Sequence, residues 1–215
     1  MNETMNLNPS CIQNPTLDDP IIKSYRPRLS FYHPNGKGTG SAIQFERIPA
    51  QGDREGGIFM RLALQKTVAT GSRHDGTRQH ATFDWQNRLI VKLGFTDLCA
   101  MLMVLIGRFE TIAEGKGLFH DSKSHITTIN LTRQIEPVPG LILEVSRRSK
   151  TEPATSQRIR MLISESEALG LRLVFEQSLS VITFGIPKEP AARPRGNDLP
   201  PMQDETEPET DAIPF

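Results

Sequence analysis

The chain has 215 residues, 37% of them hydrophobic and 23% charged, with 25 Lys and Arg balanced by 25 Asp and Glu. This suits one domain of ordinary size carrying tails. The zero net charge conceals an asymmetry: residues 1–186 hold 22 basic against 18 acidic side chains (+4), and residues 187–215 hold 3 against 7 (−4). Two cysteines, Cys11 in a polar leader and Cys99 in an apolar run, argue against a disulfide framework and fit a reducing compartment. The longest apolar run, LCAMLMVLIG (98–107), is about half of a membrane span. Lys23 is the single basic residue among the first 25, which argues against a secretory or transit leader. A soluble cytoplasmic protein is expected.

Residues 1–26 are rich in Asn, Pro and Asp and are expected to form a flexible leader; from Pro187 onward Pro, Glu and Asp predict a disordered acidic tail. Between them, 27–186 is the folded body. RLSFYHPNGKGTGSAIQFERI (28–48) reads as a strand with a Gly-rich centre, and GGIFMRLALQKT (56–67) alternates as a strand should. ATFDWQNRLIVKLG (81–94) gives one or two more strands around Asn87. TDLCAMLMVLIGRFETIAEG (96–115) predicts a largely buried helix with Thr96 as N-cap and Gly115 as the stop. The order then repeats: strands over 117–136, 140–150 and 156–165, and a second helix opened by the Ser164–Glu167 capping box and closed by Gly185 and Pro187. Antiparallel strands followed by a helix, twice, specify an α+β fold whose helices cover one face of the sheets and leave the other free.

No catalytic constellation appears. The five histidines fall in loops or near strand ends without metal-ligand spacing, and FHDSKSH (119–125) reads as a polar turn. GKGTG (36–40) lacks the spacing and the following helix of a phosphate loop. The expectation is no enzyme, no metal and no cofactor.

Glycines around a lysine have another use: they admit a flat base or a second backbone while the lysine meets a phosphate. Gly36 and Lys37 lie beside Phe31, Tyr32 and His33, with Phe45 beyond; the next strands add Phe59, Arg61, Phe83 and Trp85. The second repeat offers Phe119, His120, Lys123, Arg133, Arg147, Arg148, Arg158 and Arg160. Rings interleaved with cations on strands suit sequence-tolerant binding of single strands, where bases stack at about 1–3 kcal/mol each. Alternation alone does not say which rings face outward, and Arg147 and Arg148 cannot share a face.

The strand order and the segments GKGTGSAI (36–43), FDWQNRLIVKLGFTDL (83–98) and LFHDS (118–122) resemble the Whirly family of single-stranded-DNA-binding proteins and the mitochondrial guide-RNA-binding proteins that share its fold. The resemblance covers about residues 27–186. It implies two antiparallel four-stranded sheets, each followed by a helix (ββββα repeated), a homo-oligomer with a tetramer favoured, and Lys37 as the residue matching the family's first-strand motif. The tail resembles another family: bacterial single-stranded-DNA-binding proteins of the OB-fold type end in an acidic linker and an Ile-Pro-Phe tip like TDAIPF (210–215). That likeness implies a partner-binding tip of Asp211, Ile213, Pro214 and Phe215. Together they suggest a bacterial or phage nucleoid-associated protein that protects single-stranded DNA and recruits replication, repair or recombination proteins. A transcription regulator related to the positive-cofactor-four coactivators and an RNA-binding protein are the alternatives.

Overall fold

The computed structural model describes residues 28–186, apart from 73, 75 and 153–155. The expected leader (1–26) and the acidic tail with Asp211, Ile213, Pro214 and Phe215 lie outside the described residues. The first sheet is built from β1 (Arg28–His33), β2 (Ser41–Ile48), β3 (Gly57–Thr67), β4 (Thr82–Phe83) and β5 (Leu89–Leu93), in the order β1-β2-β3. Both β4 and β5 pair with β3 at different points along it, so together they form a broken fourth strand around the Asp84–Asn87 turn. Helix α1 (Phe95–Leu105) and a 3-10 turn (Ile112–Gly115) follow. The second sheet runs β6 (Leu118–Asp121), β7 (His125–Gln134), β8 (Gly140–Ser149) and β9 (Ser156–Ile163), and α2 (Glu165–Phe184) closes the chain. All pairings are antiparallel, giving the expected ββββα repeat twice over.

The pleat divides each sheet into two chemistries. Ile43 and Phe45 on β2 stand opposite Leu62 and Met60 on β3, and all four are buried. The intervening positions Gln44, Glu46, Phe59 and Arg61 point the other way. The buried rows meet α2: Phe175 is fully buried and lies edge-on to Phe45, 5.6 Å between centroids, while Phe31 packs edge-on to Phe45 at 6.2 Å. The second sheet repeats the design. Ile129, Leu131, Leu143, Val145, Ile159 and Met161 are buried, and the alternate positions carry Thr128, Asn130, Glu144, Ser146, Arg158 and Arg160.

Two helix boundaries differ in their fit to expectation. The Ser164–Glu167 capping box and the Gly185 cap are present as expected. Helix α1, however, starts one residue after Gly94, whose N–H donates to the Asp97 carboxylate, and it ends at Leu105 rather than near Gly115. The reason is Gly107, which takes a left-handed conformation (φ +75°) and lets the following N–H groups fold back onto the Met103 carbonyl.

The first-turn acids of the helices also tie the repeats together, reciprocally. His33 at the end of β1 bonds Glu167 on α2 (2.7 Å), and His120 on β6 bonds Asp97 on α1 (3.1 Å). Burial pushes the Glu167 carboxyl up, but the His33 bond and the bonds from the Ser164 backbone and hydroxyl outweigh it and hold the group below its ordinary value of 4.5. A carboxyl depressed in the folded state stabilises the fold above its unfolded pKa, and that stabilisation disappears as pH falls below about 4.5. Glu167→Gln is therefore expected to cost about 1 kcal/mol at neutral pH and to flatten the loss of stability between pH 5 and 3 in denaturant titrations; an unchanged acid limb would contradict this.

Candidate nucleic-acid interface

The Gly-rich segment is a turn between β1 and β2 rather than the centre of one strand. Asn35 Oδ1 accepts from the N–H groups of Lys37 and Thr39 (3.0 and 3.1 Å). The buried Gln65 side chain accepts from Asn35 N and Gly40 N through Oε1, and donates to the Asn35 and Thr67 carbonyls through Nε2. A Cβ on Gly40 would come within 2.3 Å of both Gln65 Oε1 and the His33 carbonyl, so only glycine fits there. Gly36 and Lys37 are exposed at the tip, and the Lys37 ammonium makes no ion pair among the described residues. The turn is thus a pinned loop that holds one unpaired cation in solvent.

Beside it, on the face of the first sheet away from the helices, three rings gather. Tyr32 is half-exposed and lies 5.6 Å from Phe83 and 6.5 Å from Trp85, centroid to centroid. Register places the small, buried Ala42 and Ala63 next to Tyr32 across β2 and β3, and the Tyr32 hydroxyl accepts from Gln44 Nε2 (3.2 Å). With Pro34 and His80, the rings line an open cleft of about 500 Å³. Further along the same face the Arg61 guanidinium sits over the Phe59 ring, 5.9 Å from its centroid.

Under these groups is a buried carboxylate. Glu46, only 1% exposed, receives Arg28 Nε (3.0 Å) and Arg61 Nη1. Burial pushes its pKa up, yet the hydrogen bonds and charges of Arg61 and Arg28 prevail and hold it below the ordinary carboxylate range. Glu46 therefore fixes both guanidinium groups against the sheet and removes much of their net charge from the face.

The outer face of the second sheet carries Phe119, 66% exposed, with Arg148, Arg158 and Arg160 also exposed. Arg158 pairs with Glu144 on the adjacent strand, which raises its pKa through that hydrogen bond and charge. Lys123 is exposed in the β6–β7 turn.

Several residues expected at a binding surface are elsewhere. Phe31 and Phe45 occupy the inner face and belong to the core, so neither ring is available for stacking. His33 and His120 are engaged by the two helix carboxylates, and Arg133 bonds Glu165 (3.1 Å) and the Val104 carbonyl. Arg147 also points inward, toward the seam between the sheets, leaving Arg148 as the member of that pair on the outer face. Tyr32, Phe59, Arg61 and Trp85 lie together on one sheet, and Phe119, Arg158 and Arg160 on the other. Phe83, expected beside Trp85, joins the cluster, and Gln65 and Glu46 belong to the site without having been expected. Phe83 was visible as a strand aromatic; Gln65 and Glu46 acquire their roles only through a cross-strand register and a turn contact that sequence spacing does not disclose.

Among the described residues no group of His, Cys, Asp and Glu is placed to hold a metal, and no helix is long and apolar enough to cross a membrane. The architecture is Whirly-like. No protein-family model matches the chain, and no curated protein matches it by sequence. Solved structures do match by fold. WHY1 from Arabidopsis thaliana aligns with a TM-score of 0.56 at 16% identity over 74% of this chain and 91% of its own. WHY3 from the same plant gives 0.55 at 18% identity over 74% and 89%. The plant transcriptional regulator PBF-2 gives 0.53 at 18% identity over 74% and 82%.

Proposed function

We propose that the chain is a non-enzymatic protein that binds single-stranded DNA with little sequence preference. The observation that carries this reading is the outer face of the first sheet, where Tyr32, Phe83 and Trp85 cluster in the open beside the pinned, unpaired Lys37. Rings stack with any base, and an unpaired ammonium at the rim meets phosphate, so the arrangement suits a strand of any sequence. Glu46 supports the same conclusion: by compensating Arg28 and Arg61 it favours stacking over a high density of charge on that face. The polar, arginine-bearing face of the second sheet extends the surface through Phe119, Arg148 and Arg160.

A homo-oligomer, with a tetramer favoured, fits the exposed Leu169, Leu173 and Phe184 on α2, which no element among the described residues covers. The acidic segment ending in Asp211, Ile213, Pro214 and Phe215 is proposed to dock replication, repair or recombination proteins, an apolar anchor steered by the acidic run. A bacterial or phage nucleoid setting belongs to the same proposal. The second reading, a transcription regulator, draws on the fold likeness to PBF-2.

The deciding experiment titrates the full chain with single-stranded DNA, duplex DNA and RNA of equal length and mixed sequence. The single-strand reading expects DNA strands to bind best and independently of sequence; sequence-selective duplex binding would support the regulator, and an RNA preference would overturn the choice of DNA. Lys37→Ala is expected to weaken oligo-dT binding and to lower the slope of log K against log salt by about 1; an unchanged isotherm would remove Lys37 from the interface. Deleting Phe215 should leave strand affinity intact and abolish partner capture in pull-downs. If capture persists, the tip does not do the docking.

A further inference from the structure

Tyr32 and Pro34 reach the aromatic cleft from β1, and the rest of its lining, His80 to Phe83 and Trp85, comes from the far end of the excursion between β3 and β4. The base of that excursion is a fixed hairpin. Thr70 and Gln79 exchange both backbone hydrogen bonds (3.1 and 2.9 Å). The Thr67 and Thr82 hydroxyls meet at 2.8 Å, and the Thr82 N–H donates to Thr67 Oγ1 (3.1 Å). At the root β3 bulges, with Gln65 opposite Phe83 and Thr67 opposite Thr82. Bulges of this kind re-aim the residues beside them.

His80 sits between these two ties. It lines the cleft, is exposed, and makes no hydrogen bond or ion pair among the described residues. The other ionisable group in the lining is the Tyr32 hydroxyl, which accepts from Gln44, and no carboxylate of a described residue lines the cleft. The flanking segments are mostly cationic. They carry Lys37 on the β1–β2 turn, Lys66 at the end of β3, His74 and Arg78 on the hairpin, and Arg88, whose Nη1 donates to the Trp85 carbonyl. The acid there among the described residues, Asp84, is bonded by Asn87, which with Lys66 holds its carboxyl below the ordinary value. Behind Pro34, Glu167 is taken by His33.

A strand whose bases stack on Tyr32, Phe83 and Trp85 keeps its phosphates at the rim of the cleft. An imidazolium in the wall meets such a phosphate as a charge-assisted partner, whereas a neutral imidazole offers a ring face or a weaker bond. Building on the single-strand reading, we propose that His80 is a phosphate contact of the cleft whose charge sets the affinity, so that the chain grips single strands more tightly in mild acid. The sign follows from linkage. A cation that gains a phosphate neighbour holds its proton more firmly, so binding takes up a proton and affinity rises as pH falls through the range in which histidine titrates, between about 8 and 5.

The test follows labelled oligo-dT by anisotropy with the full chain at pH 8 and pH 5.5. Thymine has no group that titrates between them, and the Glu167 carboxyl stays ionised. Wild type is expected to bind roughly tenfold more tightly at pH 5.5, the worth of one charge-assisted contact. Its slope of log K against log salt should steepen by about 1. His80→Gln, neutral throughout, is expected to show neither change, and His80→Arg, charged throughout, to keep the steeper slope at both pH values. The native side chain is exposed and unbonded, so neither variant threatens the fold. A flat wild-type response, a response that His80→Gln reproduces, or a gain in affinity with an unchanged salt slope overturns the proposal and leaves the single-strand reading standing. Failure of the wild type to bind oligo-dT at either pH overturns the single-strand reading itself, and this inference with it.

Discussion

The edge-on contact between Phe175 of α2 and Phe45 of β2 decides which side of the first sheet looks at solvent. A strand has only two faces, and once Ile43, Phe45, Met60 and Leu62 are committed to the helix, Tyr32, Phe59 and Arg61 must face outward. A slip of one residue in the β2–β3 register would exchange the two sets, burying Glu46 and Arg61 in the core and exposing the apolar row. Core packing and candidate interface are therefore one constraint seen from opposite sides of the same sheet.

The outer face is specified with unusual care for a surface. Gln65 braces the Lys37 turn with three hydrogen bonds and ties itself to the Thr67 carbonyl with a fourth, and Glu46 holds two guanidinium groups flat. Such bracing limits the rotamer and backbone freedom that binding would otherwise have to remove, which is the physical content of a preorganised site. The reciprocal ties His33–Glu167 and His120–Asp97 do the corresponding task for the body, since each links the first strand of one repeat to the helix of the other. The seam between the sheets is held differently, by Arg147 and by single bonds such as Ser41 Oγ to the Arg160 carbonyl.

Much of the fold was legible in the sequence because it is written in local signals. Period-two alternation in GIFMRLALQKT located β3, and Ser164, Glu167 and Gly185 marked both ends of α2. Where local signals compete, the reading failed. The apolar run after Thr96 continues past Leu105, and only the left-handed Gly107 shows where the helix ends. The site was legible in kind but not in membership. Phe31 and Tyr32 are neighbours in sequence and face opposite ways, as do Arg147 and Arg148, and composition does not distinguish them. Salt-bridge partners such as Glu46 with Arg61 come from different strands, so they are known only once register is known.

Trp85, the single tryptophan of the chain, reports directly on the face that matters. Its emission should be quenched in a saturable manner when oligo-dT is added to the wild-type protein, because a base stacking in the cleft must meet the Tyr32, Phe83 and Trp85 rings. In Tyr32→Ala the same titration should shift to higher concentration by the equivalent of about 1–3 kcal/mol, the usual contribution of one stacked ring. A flat fluorescence titration under conditions where anisotropy shows the strand to be bound would place the nucleic acid elsewhere on the molecule and contradict the account.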